Sequence, residues 1–140
     1  MRRYQSAILT ACFLGATSLS VPAAAQQDTD CKSPVTQSDM TYCSKLDWEA
    51  ADKELNTAYA AAMASMKQTD SYLSDDLKGA ADALRNAQRA WIPYRDKACD
   101  AYGFLARGGS MEPMLVFDCR TTLTQQRTKE LQDLAKGLGN

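Results

Sequence analysis

The stretch Trp48-Glu49-Ala50-Ala51-Asp52-Lys53-Glu54-Leu55-Asn56-Thr57-Ala58-Tyr59-Ala60-Ala61-Ala62-Met63-Ala64-Ser65-Met66 decides the fold class. Trp48, Ala51, Leu55, Ala58 or Tyr59, Ala62 and Met66 recur at steps of three and four, which draws one apolar stripe along an α-helix. Neither Gly nor Pro occurs between Ser38 and Ser74, and the run is rich in Ala, the strongest helix former. Upstream, Thr36-Gln37-Ser38-Asp39 has the form of a capping box, so the first helix is expected over about 37–67. Gln68-Thr69-Asp70-Ser71 reads as the turn that ends it.

A second helix is expected from 71–74 to a point before Gly103 or Gly108. Its stripe is Leu73, Leu77, Ala80 or Ala81, Leu84, Ala87, Trp91, Tyr94, Ala98, Tyr102 and Leu105. Gly79 falls inside that span at a cost of about 1 kcal/mol relative to Ala. Pro93 lacks an N–H and clashes with the carbonyl of Arg89, so a kink is expected at 89–93. The paired glycines of Arg107-Gly108-Gly109-Ser110 break the helix, with Ser110 as the next cap and Pro113 in the following first turn. A third helix follows over about 111–136, with Val116, Cys119, Leu123, Leu131, Leu134 and Leu138 on its stripe, and Gly137 and Gly139 end it. No segment alternates with period two. The expectation is an all-α fold of three long antiparallel helices, up-down-up, in one domain over 26–140.

The first 25 residues have the layout of a secretory signal peptide. Arg2 and Arg3 form the positive head, Ala7 to Val21 the apolar region, and Ala23-Ala24-Ala25 the cleavage site. The apolar region spans about 15 residues, short of the roughly 20 that cross a bilayer, so no membrane span is expected. Leu9-Thr10-Ala11-Cys12 offers a competing lipobox that would anchor the chain through Cys12, but it leaves too short an apolar region before it. A periplasmic or secreted location follows.

Export leaves Cys31, Cys43, Cys99 and Cys119, an even count that reads as two disulfides in an oxidising compartment. Spacings of 12, 56 and 20 do not suit an all-cysteine zinc site. Four cysteines allow three pairings, which sequence leaves open. Cys43 near the start of helix 1, Cys99 near the end of helix 2 and Cys119 near the start of helix 3 fall at one end of such a bundle, where both bridges are expected.

The 140 residues carry 16 basic and 17 acidic side chains and no histidine. Loss of Arg2 and Arg3 with the leader shifts the net charge from −1 to −3. This balance speaks against a nucleic-acid partner. Absence of histidine removes Ser-His-Asp and Cys-His catalysis and histidine-ligated metal sites. Asp75-Asp76, or Glu49 with Asp52, could in principle run carboxylate chemistry on a glycoside, yet no feature sets two of them across a cleft. Asp28-Thr29-Asp30 lacks the glycine and final Glu of a calcium loop. No enzyme activity and no cofactor are expected.

Asp52 and Asn56 share a helix 1 face with Leu55 and Tyr59, as Gln88 and Arg95 share one on helix 2 with Trp91. The economical reading is a structural polar network across the helix 1–helix 2 seam; a ligand pocket is the other. Trp48 and Trp91 read as core anchors. Arg107, Gly108, Gly109, Ser110, Met111 and Glu112 form the candidate loop for contact with a partner.

Several of these pieces together resemble the LprI-type lysozyme-inhibitor N-terminal domain family of small exported bacterial proteins. They are Cys31, Thr36 to Cys43, Ala51 to Asn56 with Tyr59, and Ala87-Gln88-Arg89-Ala90-Trp91-Ile92-Pro93-Tyr94-Arg95-Asp96-Lys97-Ala98-Cys99. Tyr102, Gly108-Gly109-Ser110, Cys119, Leu123-Thr124 and Arg127 to Leu131 continue the match. The chain departs from the pattern at Thr41, where Asn is usual, and at Pro93, where a helix former is. The resemblance implies a lysozyme as protein partner and identifies no inhibitory residues. The other function class is a non-catalytic interaction or scaffold module of the envelope.

Overall fold

The computed structural model describes residues 29–137. The proposed leader, the Cys12 lipobox, Leu138 and Gly139 lie outside the described residues. Three α-helices, α1 (Gln37–Tyr72), α2 (Ala80–Gly103) and α3 (Glu112–Lys136), make the domain, with a 3₁₀ turn, Phe104–Ala106, between the last two. No strand occurs among the described residues.

Thr36 caps α1 as its sequence implies. Its hydroxyl accepts from the Asp39 N–H at 3.1 Å, while the Asp39 carboxylate accepts from the Thr36 N–H at 3.1 Å. These bonds, chiefly those with Thr36, hold the Asp39 carboxyl below its ordinary range. The other end of α1 differs from expectation. Helix continues through 68–71 to Tyr72, and α2 begins only at Ala80, so Leu73 and Leu77 belong to the connection. The reason is Asp70. From the last turn of α1 its carboxylate accepts the N–H groups of Gly79, Ala80 and Ala81 at 2.9, 2.8 and 3.0 Å, capping α2 from a distance. Gly79 is therefore the N-cap of α2 rather than an interior residue, and its φ of +142° suits glycine alone.

α2 runs through Pro93 as one helix. Its buried row is Ala81, Leu84, Gln88, Arg95, Cys99 and Gly103. Tyr94, Tyr102 and Leu105, expected on the apolar stripe, face solvent instead, as does Ala87. Two strongly polar side chains occupy the inward row, so hydropathy alone misplaces the face. α3 starts one residue after the expected position, with Met111 as N-cap and Pro113 in the first turn. Ser110 makes no capping bond.

α1 packs most extensively on α3, and α2 lies against both. Gln37 reaches Met114 and Trp48 stacks on Phe117 at 5.7 Å, so the N-termini of α1 and α3 sit side by side while α2 runs the opposite way. The bridges are Cys31–Cys43 and Cys99–Cys119, both at that shared end. The core is thin. Leu55, Ala58, Ala62, Leu84 and Leu131 form it, with Tyr59, Met63, Met66, Trp91 and Ala135 packed around them. Alanine lets the helices approach closely but contributes little apolar area per residue, which makes crosslinks valuable in a domain of this size.

Candidate functional site

Arg95 occupies the middle of the bundle with its side chain only 6% exposed. Its Nη1 donates to Asp52 Oδ1 of α1 at 3.0 Å and to Thr124 Oγ1 of α3 at 3.4 Å, and its Nε donates to Asp96 at 3.0 Å. The guanidinium carbon lies 5.5 Å from the Trp48 ring centre and 5.3 Å from that of Trp91. Arg120 approaches the same Trp48 ring at 5.3 Å and pairs with Asp96 and Asp100. Helical spacing assembles this cluster: four residues from Trp48 to Asp52, four from Trp91 to Arg95, four from Arg120 to Thr124. A buried guanidinium needs carboxylates and ring faces around it; α1 and α2 supply both, and α3 adds the Thr124 hydroxyl.

Of the four residues expected in a network, Asp52, Asn56 and Arg95 come together, with Asn56 donating to Asp52 at 3.2 Å. Gln88 joins a different partner: its Oε1 accepts from Arg127 Nε of α3 at 3.1 Å. The arrangement therefore spans three helices rather than the helix 1–helix 2 seam. Sequence reasoning did not include Asp96, Arg120, Thr124 or Arg127. Their position on α3, or next in sequence to Arg95, was visible, but which face of α3 meets Arg95 was not.

Beside this cluster runs a groove of about 600 Å³ between α1 and α2. Asp52, Leu55, Asn56 and Tyr59 line one wall, and Arg85, Gln88, Arg89, Ile92 and Arg95 the other. Arg85 is paired with Asp82.

At the crosslinked end, the loop after α2 is held tightly. The Glu112 carboxylate accepts from the Gly108 N–H at 2.8 Å and pairs with Arg107, which keeps the Glu112 carboxyl below its ordinary range. Gly108 has φ +75°, where a side chain would be strained. Arg107 also covers the Phe104 ring at 4.6 Å. Phe104, Leu105 and Met111 are nonetheless 61%, 74% and 44% exposed. All six residues expected to form a contact loop thus sit together, with an apolar rim next to them.

The description "Lysozyme inhibitor LprI" matches residues 28–131, which takes in both disulfides, the Arg95 cluster and the loop. The chain belongs to the LprI lysozyme inhibitor family. An uncharacterized protein of Rhizobium meliloti (strain 1021) is 49% identical to this LprI-family chain over 125 residues, covering 86% of the chain and 90% of the relative. No solved structure matches. Among the described residues, no cluster of potential metal ligands occurs and no helix is long and apolar enough to cross a membrane.

Proposed function

We propose that this protein is an exported inhibitor that blocks a lysozyme by direct protein–protein contact, without catalysis of its own. The match of residues 28–131 to a lysozyme-inhibitor family carries the reading. Two disulfides and the leader-like first 25 residues agree with a periplasmic or secreted site of action. The contact surface we assign to the Arg107–Glu112 loop and its rim. Phe104, Leu105 and Met111 present apolar area to solvent on a turn fixed by Cys99–Cys119 and by Arg107–Glu112. A preformed apolar projection loses little conformational freedom on binding and can fill a cleft.

The test is lysis of a cell-wall suspension by c-, g- and i-type lysozymes with micromolar mature protein. Dose-dependent inhibition of at least one is expected, and a Leu105→Ser, Met111→Ser variant should weaken it by about tenfold or more with unchanged stability. Full lysis with all three enzymes would refute the reading.

A further inference from the structure

We infer that the groove between α1 and α2 is a second binding site, one that takes a carboxylate carried on a peptide, from an acidic side chain or a chain terminus. It lies along the middle of the bundle, apart from the Arg107–Glu112 loop, and does not depend on lysozyme inhibition.

Gln88 is only 8% exposed, and its amide orientation is set by Arg127, whose Nε–H needs the Oε1 acceptor. That leaves the Nε2 donors on a nearly buried side chain that lines the groove and makes no other hydrogen bond among the described residues. Arg95 lines the groove too. Its Nε and Nη1 are engaged by Asp96, Asp52 and Thr124, and its Nη2 has no acceptor among the described residues. Arg89, on the same wall, has no carboxylate partner at all among the described residues. Three donor groups, two of them on side chains more than nine-tenths buried, therefore line the groove without a bonded acceptor among the described residues. These donor atoms open onto the groove rather than being sealed off from it, so an acceptor that enters the groove can reach them.

The groove also selects the kind of acceptor. Guanidinium forks suit planar carboxylates, and Tyr59 and Ile92 provide apolar walls for the carbon framework bearing the charge. Asp52 stands in the opposite wall, and its charge disfavours a dianion such as phosphate. The volume of about 600 Å³ is ample for two or three residues of extended peptide.

Calorimetry and ¹⁵N-detected shifts of the Gln88 amide and the Trp91 indole test this with the full mature chain. The probes are blocked acetyl-leucyl-glutamyl-leucine amide, its glutaminyl analogue, acetyl-leucyl-leucine with a free carboxyl terminus, and inorganic phosphate. Saturable binding of the glutamyl peptide, the free-terminus peptide or both is expected, and which one binds identifies the source of the carboxylate. Three variants change net charge by the same single unit. Arg89→Gln removes the unpaired cation, Gln88→Glu replaces the free donor with an acceptor while still serving Arg127, and Lys97→Gln alters an exposed lysine outside the groove. The first two should weaken binding by about tenfold or more and the third should leave it unchanged. Circular dichroism checks that each variant is folded. The proposal fails if neither carboxylate peptide binds at millimolar concentration, or if the glutaminyl analogue or phosphate binds as well. It also fails if all three variants weaken binding equally, because the attraction is then only overall charge.

Discussion

Gly103 offers the sharpest test of how the loop is held. It is buried at the end of α2 with φ −59° and ψ −26°, a conformation any residue adopts, so its importance is purely one of space. A Cβ built there meets Val116 Cγ2 of α3 at 2.6 Å and Glu112 Cγ at 3.6 Å. Carbon atoms in contact normally stand about 3.5–4.0 Å apart, so Val116 must retreat by about 1 Å. Valine is stiff at χ1, which passes the displacement to the α3 backbone. Overpacking of this kind costs about 1–3 kcal/mol. Replacing Gly in a helix returns at most about 1 kcal/mol, and less at a helix end. Gly103→Ala should therefore destabilise the domain by about 1–2 kcal/mol, read by urea denaturation at constant m-value. The double variant with Val116→Ala should be more stable than the two single changes predict by at least about 1 kcal/mol. Because Glu112, on the same first turn of α3, holds the Gly108 N–H, the single variant should also weaken lysozyme inhibition. A Gly103→Ala protein as stable as the parent, or effects that simply add, would refute the steric account.

The remaining predictions concern crosslinks, core and pH. Breaking Cys99–Cys119 or Cys31–Cys43 by paired serine substitutions should cost about 3 kcal/mol each from loop entropy, with separations of 20 and 12 residues. Inhibition should suffer more from losing Cys99–Cys119, which closes the base of the loop, and equal losses from both would count against the assigned surface. Leu131→Ala, at 1% exposure, should destabilise by about 2–5 kcal/mol, whereas Leu134→Ala, 40% exposed, should stay within about 0.5 kcal/mol; thermal melts separate them. The Gly79, Ala80 and Ala81 N–H groups hold the Asp70 carboxyl below the ordinary value of 3.8, so its contribution is complete above that value and fades as pH falls below it. Asp70→Asn should flatten the acid limb of the stability profile, and an unchanged limb would show that the distant cap is energetically idle.

How far the fold could be read depended on how local each signal was. Thr36 and Asp39 answer each other within one turn, so the start of α1 follows directly from the sequence. The boundary between α1 and α2 did not, because the group that caps α2 sits nine residues before its first bond and its polar neighbours resemble a turn. Composition placed the break at 68–71; the helices leave it at 73–79, where Asp70 caps α2 from the last turn of α1. The loop after α2 was legible through its glycines, and the exposed Phe104 and Leu105 beside it were not, since the same stripe argument that found Leu84 counted Leu105 as core. For the polar cluster, spacing gave the α1 and α2 members but offered no register for α3, which is why Thr124 and Arg127 were missed.

Arg95 and Gln88 explain that failure and connect the two surfaces. A hydropathy stripe assumes that inward positions are apolar, yet the inward row of α2 carries both. Burying a guanidinium is costly, and its three carboxylate and hydroxyl partners plus two indole faces offset that cost only in one arrangement of the helices. Such a cluster adds little net stability, but it penalises a shifted register strongly, because any slip leaves the charge unpartnered. The thin alanine core cannot fix register by shape alone. Register is instead set by the Arg95 cluster in the middle of the bundle and by Cys99–Cys119 at its end, four residues further along α2. The same residues that lock the helices then present spare donors to the groove on one side and, through the crosslinked end, a rigid loop on the other. A variant that replaces Arg95 with Met tests this division. It should keep the helix content, blur the dispersion of core NMR signals and abolish peptide binding, while lysozyme inhibition, held by the disulfide, persists. Loss of inhibition together with peptide binding would mean that the loop depends on the buried cluster rather than on its own crosslink.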